Sequence, residues 1–347
     1  MRLRYKGFSA AWWLIFLEAL TVFGAGFFQL WLTENYIMDT YPAMTVSQLF
    51  IFIPIAAGLI YLKNTHGYAP LSALIGLRSF DPVMMLLLLV LPSATQYFAA
   101  YMQWPYMEAL IEIFGQQVDL NSPETVSELL WLFLSLCILA PVFEELLFRG
   151  IIIKILEPYG TLTAVFSTAL GFAILHFSPA AFFTIFAVGA VLGFVRLYSG
   201  SVFSCMLFHS IFNFGSVIQL VFQNQLEKYG LISGIYSVFM ACLFPVLIFI
   251  MYRSYGRGKW YRGTIRGCRG GAVPIILLSV LFVLTSLSLA IDSGYIRLPL
   301  QDKRDYFYEE EEAPEYYDSD DFFNEFFRDF YNELPDGYGT EGGESQQ

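Results

Sequence analysis

The stretch Ala140-Pro141-Val142-Phe143-Glu144-Glu145-Leu146-Leu147-Phe148-Arg149-Gly150 decides how this chain is read. It closes an apolar run, Leu129 to Val142, with two adjacent carboxylates and an arginine. An ionised group near the centre of a bilayer costs roughly 2.5–3.5 kcal/mol on insertion scales, so three of them at membrane depth need partners or a task.

The surroundings put that run in a membrane. Of 347 residues 56% are hydrophobic and 14% charged, against about 25% charged in soluble domains. The apolar residues recur in blocks of about 18–24, the length that spans a hydrocarbon core. The fold class expected is all-α: a polytopic transmembrane helix bundle of 8–9 spans with an acidic C-terminal tail. Nine candidate spans can be drawn, at 9–32, 46–62, 83–103, 127–147, 161–177, 180–198, 201–222, 232–252 and 272–291, those near 165 and 188 being short and close together. The first block follows Arg2, Arg4 and Lys6 like the start of a signal peptide, but it is too long for one and reads as a retained span.

Charge gives the orientation. From Asp302 on the chain holds 16 acidic and 3 basic residues, a net of −13 against −11 for the whole, so the rest is +2. Acidity is thus a property of the tail, and no basic stripe of the kind that binds nucleic acid is present. Arg2, Arg4, Lys6, Lys63, Arg78, Arg149, Lys154, Arg196 and the cluster Arg253–Arg269 fall on one side of a nine-span chain. The other side carries Glu34, Asp39, Glu108, Glu112, Asp119 and Glu124, with Lys228 its one base. The positive-inside rule then puts the N-terminus in the cytoplasm and the tail outside the cell membrane. The basic loop 253–269, with Trp260 and Tyr261, is a topology determinant first and a site for anionic lipid heads second. The tail 301–347 reads as a disordered solvating segment, although aromatics at three- and four-residue intervals over 322–331 would suit a docking helix. Cys137, Cys205, Cys242 and Cys268 are scattered and indicate neither a disulfide framework nor a cysteine metal site.

Helical phase divides the two glutamates. Glu145 and Arg149 are i, i+4 neighbours and can pair. Glu144 is turned about 100° away and left to point elsewhere. That division suits a scaffold pair, Glu145–Arg149, beside a working group, Glu144; the plainer alternative is one structural knot in which both glutamates share Arg149. Only three histidines exist. His66 lies in a loop and reads as a bystander, while His176 and His209 sit at membrane depth with donors and acceptors to satisfy. His209 and Asn213 share a helix face at i, i+4. Ser178 and Pro179, after His176, look like the cap and first residue of the next helix. Glu18, alone in the first span, receives no function. If the three polar patches converge, Glu144, His176, His209 and Asn213 surround a small cavity.

In this order and spacing the patches resemble the CPBP family of intramembrane proteases, which includes CAAX prenyl endopeptidases, bacteriocin-processing enzymes and lysostaphin-resistance-like proteins. Glu144-Glu145-Leu146-Leu147-Phe148-Arg149 matches the E-E-x-x-x-R motif, Phe172 to His176 the F-x-x-x-H motif, and His209 to Asn213 the H-x-x-x-N motif. The resemblance covers 127–222, flanked by N-terminal helices (1–126), C-terminal helices with the basic loop (223–300) and the tail (301–347). It implies an endopeptidase in which Glu144 and His176 activate water while His209 and Asn213 hold the oxyanion, supported by Glu145 and Arg149. No cofactor is favoured. The alternative is zinc on Glu144, His176 and His209, although no helix-borne H-E-x-x-H is present. Expected partners are the bilayer, a membrane-embedded or lipidated peptide substrate, and a docking partner for the tail. A prenylated CAAX tail, a leader peptide and a transmembrane anchor all fit this class of site. Two other functions stay open: a catalytically silent membrane scaffold or immunity protein of the same fold, and a proton-coupled transporter.

Overall fold

The computed structural model describes residues 7–67, 69–79, 81–114, 122–222, 229–259 and 271–292. The acidic tail and most of the basic loop, and the expectations attached to them, lie outside the described residues. So do Arg2, Arg4, Lys6, Asp119, Lys228 and Cys268.

Every described element is helical. In chain order they are α1 (Gly7–Glu34), α2 (Thr40–His66, with a 3₁₀ turn at Gln48–Ile51), the short α3 (Leu71–Ile75), α4 (Pro82–Phe114), α5 (Val126–Tyr159), α6 (Thr161–Leu175), α7 (Phe182–Ser199), α8 (Val202–Val221), α9 (Gly230–Gly256) and α10 (Ala272–Asp292). Eight of these are long and apolar enough to cross a bilayer, which makes the chain a multi-pass membrane protein. The ninth candidate, α6, has only 15 residues. At about 1.5 Å per residue it extends roughly 22 Å, short of a core of about 30 Å. His176 and the turn after it end the helix early.

Three apolar clusters build the bundle, the smallest joining α2, α5 and α8 through Tyr41, Leu132 and Val217. Of the larger two, one joins α1, α2, α5 and α6 through Ile15, Leu147, Ile151 and Phe172. The other joins α4, α7, α8 and α9 through Leu88, Leu192, Phe208 and Met251. The seam between them runs where α6 packs on α7. Gly189 and Gly193, one turn apart on α7, face Ala169 and Val165 on α6; a Cβ on Gly189 would come within 3.1 Å of the Ala169 Cα. The pairing of 189 with 169 and 193 with 165 makes the two helices antiparallel. A small-x-x-x-small face permits that approach, since lipid-embedded helices associate through close packing. The sequence carries the corresponding Gly-x-x-x-Gly pattern at Gly189 and Gly193.

Arg196 lies in the last turn of α7, as its place at the end of the sixth span implies, and is only 6% exposed. Its Nε donates to the Arg149 carbonyl at 3.0 Å and its Nη2 to the Ile75 carbonyl at 3.4 Å. It ties α7 to α5 and α3, taking the carbonyl that ends α3 and one inside α5 where the register widens to a π turn.

Candidate functional site

α5 positions the acidic pair. It opens with the Thr125 hydroxyl accepting from the Glu128 N–H at 3.2 Å, while the Glu128 carboxylate reaches back to the Glu124 N–H at 2.8 Å. Inside the helix the register widens twice to π turns, at Leu134–Leu139 and Leu146–Ile152, on either side of the glutamates. Such turns are rare and gather at functional sites. In the first, the Ala140 N–H bonds to the Ser135 carbonyl, five residues back. The next acceptor in that register is the Leu136 carbonyl, and its donor would be residue 141. Pro141 has no N–H. The orphaned carbonyl is taken by Nδ2 of Asn213 from α8, at 2.7 Å.

The ion pair expected from the spacing forms. Arg149 Nη1 lies 3.0 Å from Glu145 Oε1, and both side chains are fully buried. Arg149 Nη2 donates to the Gly189 carbonyl at 3.0 Å, so the close approach of α6 and α7 also anchors the arginine. Its guanidinium carbon stands 4.7 Å from the centre of the Phe172 ring, a cation–π contact. Glu145 Oε2 and Arg149 Nε are buried without a hydrogen-bond partner.

His209 faces both glutamates. Its Nδ1 is 2.9 Å from Glu145 Oε1, and its Nε2 is 4.0 Å from Glu144 Oε2. A carboxylate bound to arginine only accepts, so Nδ1 carries the donated proton and Nε2 is the atom directed at Glu144. His176 is fixed similarly: its Nδ1 meets the Phe172 carbonyl at 2.8 Å, so the neutral ring presents the Nε2 lone pair. Phe172 packs edge-on against both imidazoles, with ring centres at 4.7 Å for His176 and 5.9 Å for His209. The motif phenylalanine thus sits among His176, His209 and Arg149, a role its apolar character did not announce.

The segment after His176 is held in place. Phe177 has φ +47, a left-handed conformation that a bulky side chain rarely adopts. Gln103 of α4, 2% exposed, donates to the Ala180 carbonyl and accepts from Thr184 Oγ1 at 2.6 Å. The Ser178 hydroxyl accepts from the Ala181 N–H at 3.1 Å, yet α7 does not open at Pro179 as expected. It begins at Phe182, because Ala181, at φ −97 and ψ 0, interrupts the α register.

Two members of the cluster reach open space: His176 is exposed, and half-buried Glu144 lines a cleft. A cleft of about 290 Å³ lies between α1, the first turns of α2, and α5. Glu144 and Phe143 line it from α5, and Glu18 and Thr21 from α1. His176, His209 and Asn213 are not among the residues lining this cleft; Glu144 stands between the cleft and His209. Glu18 is the functional candidate that sequence reasoning set aside. The one available signal was its position as a lone carboxyl at membrane depth.

Among the described residues no group of three or more His, Cys, Asp and Glu side chains is placed to hold a metal ion. Each histidine bonds through Nδ1, His209 to Glu145 and His176 to the Phe172 carbonyl, and keeps Nε2 for other partners.

Comparison with known proteins agrees with the motifs. No curated protein and no solved structure matches the chain. A family model does, the type II CAAX prenyl endopeptidase Rce1-like model, over residues 126–215. That segment opens at the first residue of α5, closes within α8, and contains Glu144, Glu145, Arg149, His176, His209 and Asn213. Over residues 126–215 this membrane protein therefore matches the Rce1-like type II CAAX prenyl endopeptidases, a protease family, in agreement with the CPBP resemblance of its three motifs.

Proposed function

We propose that the protein is an intramembrane endopeptidase that hydrolyses a peptide bond in a membrane-associated substrate, such as a lipidated CAAX-type tail or a leader peptide. The observation that carries this reading is the division of labour between adjacent carboxylates. Glu145 is spent on Arg149 and His209, while Glu144, with 27% of its side chain exposed, opens on the cleft.

In the proposed reaction Glu144 takes a proton from water, and the oxygen attacks the scissile carbonyl carbon. The carbonyl electron pair moves onto oxygen. His209, protonated on both nitrogens and held by Glu145 at Nδ1, presents Nε2–H to that oxyanion. Asn213 holds one amide hydrogen on Leu136 and has a second to offer. Collapse of the intermediate expels the amine, which receives the proton from Glu144. His176, with its Nε2 lone pair free, assists the proton transfers. Positioned acid–base groups contribute about 10²–10⁴ in rate, and one oxyanion donor about 10²–10³.

The N-terminus is cytoplasmic in this reading and the tail extracytoplasmic. The antiparallel packing of α6 on α7 supports it, since α6 reverses the chain as a full span would. A cysteine introduced as Ser345→Cys should react with an impermeant maleimide on intact cells; protection until lysis would reverse the assignment.

The functional test compares membrane proteomes of cells carrying the wild-type chain and Glu144→Gln. Peptides with new termini should disappear in the variant while the protein stays inserted. An unchanged set of termini would end the endopeptidase reading.

A further inference from the structure

The cleft has walls that the family match does not cover. Its second face is α1, where Glu18, Thr21, Ala25 and Gln29 recur at helical spacing and line the opening. Its third is the start of α2, with Ser47 and Gln48. Both lie outside residues 126–215.

Those walls are built from acceptors. Glu18 is 6% exposed, and its Oε2 accepts from the Thr21 hydroxyl at 2.9 Å. The Gln48 amide turns its nitrogen to Ser135, donating to Oγ at 2.5 Å and to the carbonyl at 3.3 Å. Its oxygen is buried with no donor at all. Glu144 adds a second carboxyl across the cleft, and no lysine, arginine or histidine lines it among the described residues. A buried acceptor without a donor is costly. Two carboxyls facing one small space repel an anion and attract a donor-bearing cation.

We infer that Glu18 is a specificity-determining residue: facing Glu144 across the cleft, it docks a basic side chain of the substrate peptide beside that glutamate. The occupant is a peptide segment carrying lysine or arginine near the scissile bond. The inference rests on the endopeptidase reading and supplies the substrate preference of that same site. α1 then selects what α5, α6 and α8 cut.

The test uses the full chain in phosphatidylcholine nanodiscs, and fluorescent Leu/Ala peptides that differ only in a central lysine, glutamine or glutamate. Binding is measured by anisotropy on Glu144→Gln protein, with and without the isosteric Glu18→Gln change. The lysine peptide should bind about tenfold or more tighter than the glutamate peptide, the worth of one charge-assisted hydrogen bond. Glu18→Gln should erase that preference and leave the glutamine peptide unchanged. Equal binding of all three peptides, or a lysine preference that survives Glu18→Gln, overturns the inference. A parallel cleavage assay with Glu144 intact keeps the two readings apart: a lysine preference in binding with no cleavage of any peptide removes the endopeptidase reading, while cleavage indifferent to Glu18→Gln removes only this one.

Discussion

His209 turns Nδ1 to the same oxygen of Glu145 that receives the Arg149 guanidinium, at 2.9 Å and 3.0 Å respectively. The pair fixes which histidine nitrogen is left for chemistry. His209→Asn keeps a donor near the Nδ1 position but supplies nothing at Nε2. It should therefore hold its melting temperature in detergent close to wild type while losing about 10²–10³ in cleavage rate. An equal loss of both in His209→Asn and His209→Ala would assign the residue to structure alone.

The buried pair beneath it should behave as a unit. Removing one partner strands a charge, at a cost of about 3–5 kcal/mol. Glu145→Leu and Arg149→Met should each lower thermal stability sharply, and the double variant should lose less than the two losses combined. Additive losses would show that the two charges are not coupled.

Pro141 and Asn213 offer a cleaner cycle. Asn213→Ala leaves the Leu136 carbonyl without a donor and should cost about 1–3 kcal/mol. Pro141→Ala restores a backbone N–H at the position that this carbonyl addresses. In that background Asn213→Ala should be milder in stability yet still impaired in cleavage, as measured by melting and turnover on the same preparations. A stability loss as large as in the parent would refute the π-turn account.

These contacts also mark how far sequence reading reached. The Glu145–Arg149 pair follows from i, i+4 spacing because it is local to one helix. The apolar blocks gave the bundle because membrane spans announce themselves by length. Asn213 on Leu136 was invisible, since it depends on a register change whose trace is a proline that looks like any other. Glu18 and Glu144 share a cleft because α1 packs beside α5, and one sequence carries no signal of that contact. The burial of Arg196 at the end of α7 was not legible, because it is decided by α3 and α5, far away along the chain.

Gly189 links packing to the site. Gly189→Val would drive a side chain into the Ala169 backbone and push α6 from α7. Overpacking of this kind costs about 1–3 kcal/mol. Because the Gly189 carbonyl also receives Arg149, turnover should fall further than the melting temperature alone accounts for. A variant that melts lower but cleaves normally would separate the seam from the site.

Metal dependence has a direct measurement. Protein purified through chelator, with its zinc content verified by mass spectrometry, should retain full turnover. Loss of activity restored by zinc alone would place a metal among Glu144, His176 and His209.

The shortness of α6 has a consequence for where a substrate is read. A helix of roughly 22 Å cannot bridge a slab of about 30 Å, so a polar turn at one of its ends stops well below the lipid surface or draws the surface down to meet it. His176 stands at such an end. On the proposed endopeptidase reading, the helix would work as a depth gauge, carrying a hydrogen-bonding turn toward the hydrocarbon and setting how far along a buried peptide the cut falls. Lengthening α6 by one turn would move that mark by about 5 Å, and with it the bond that meets the water.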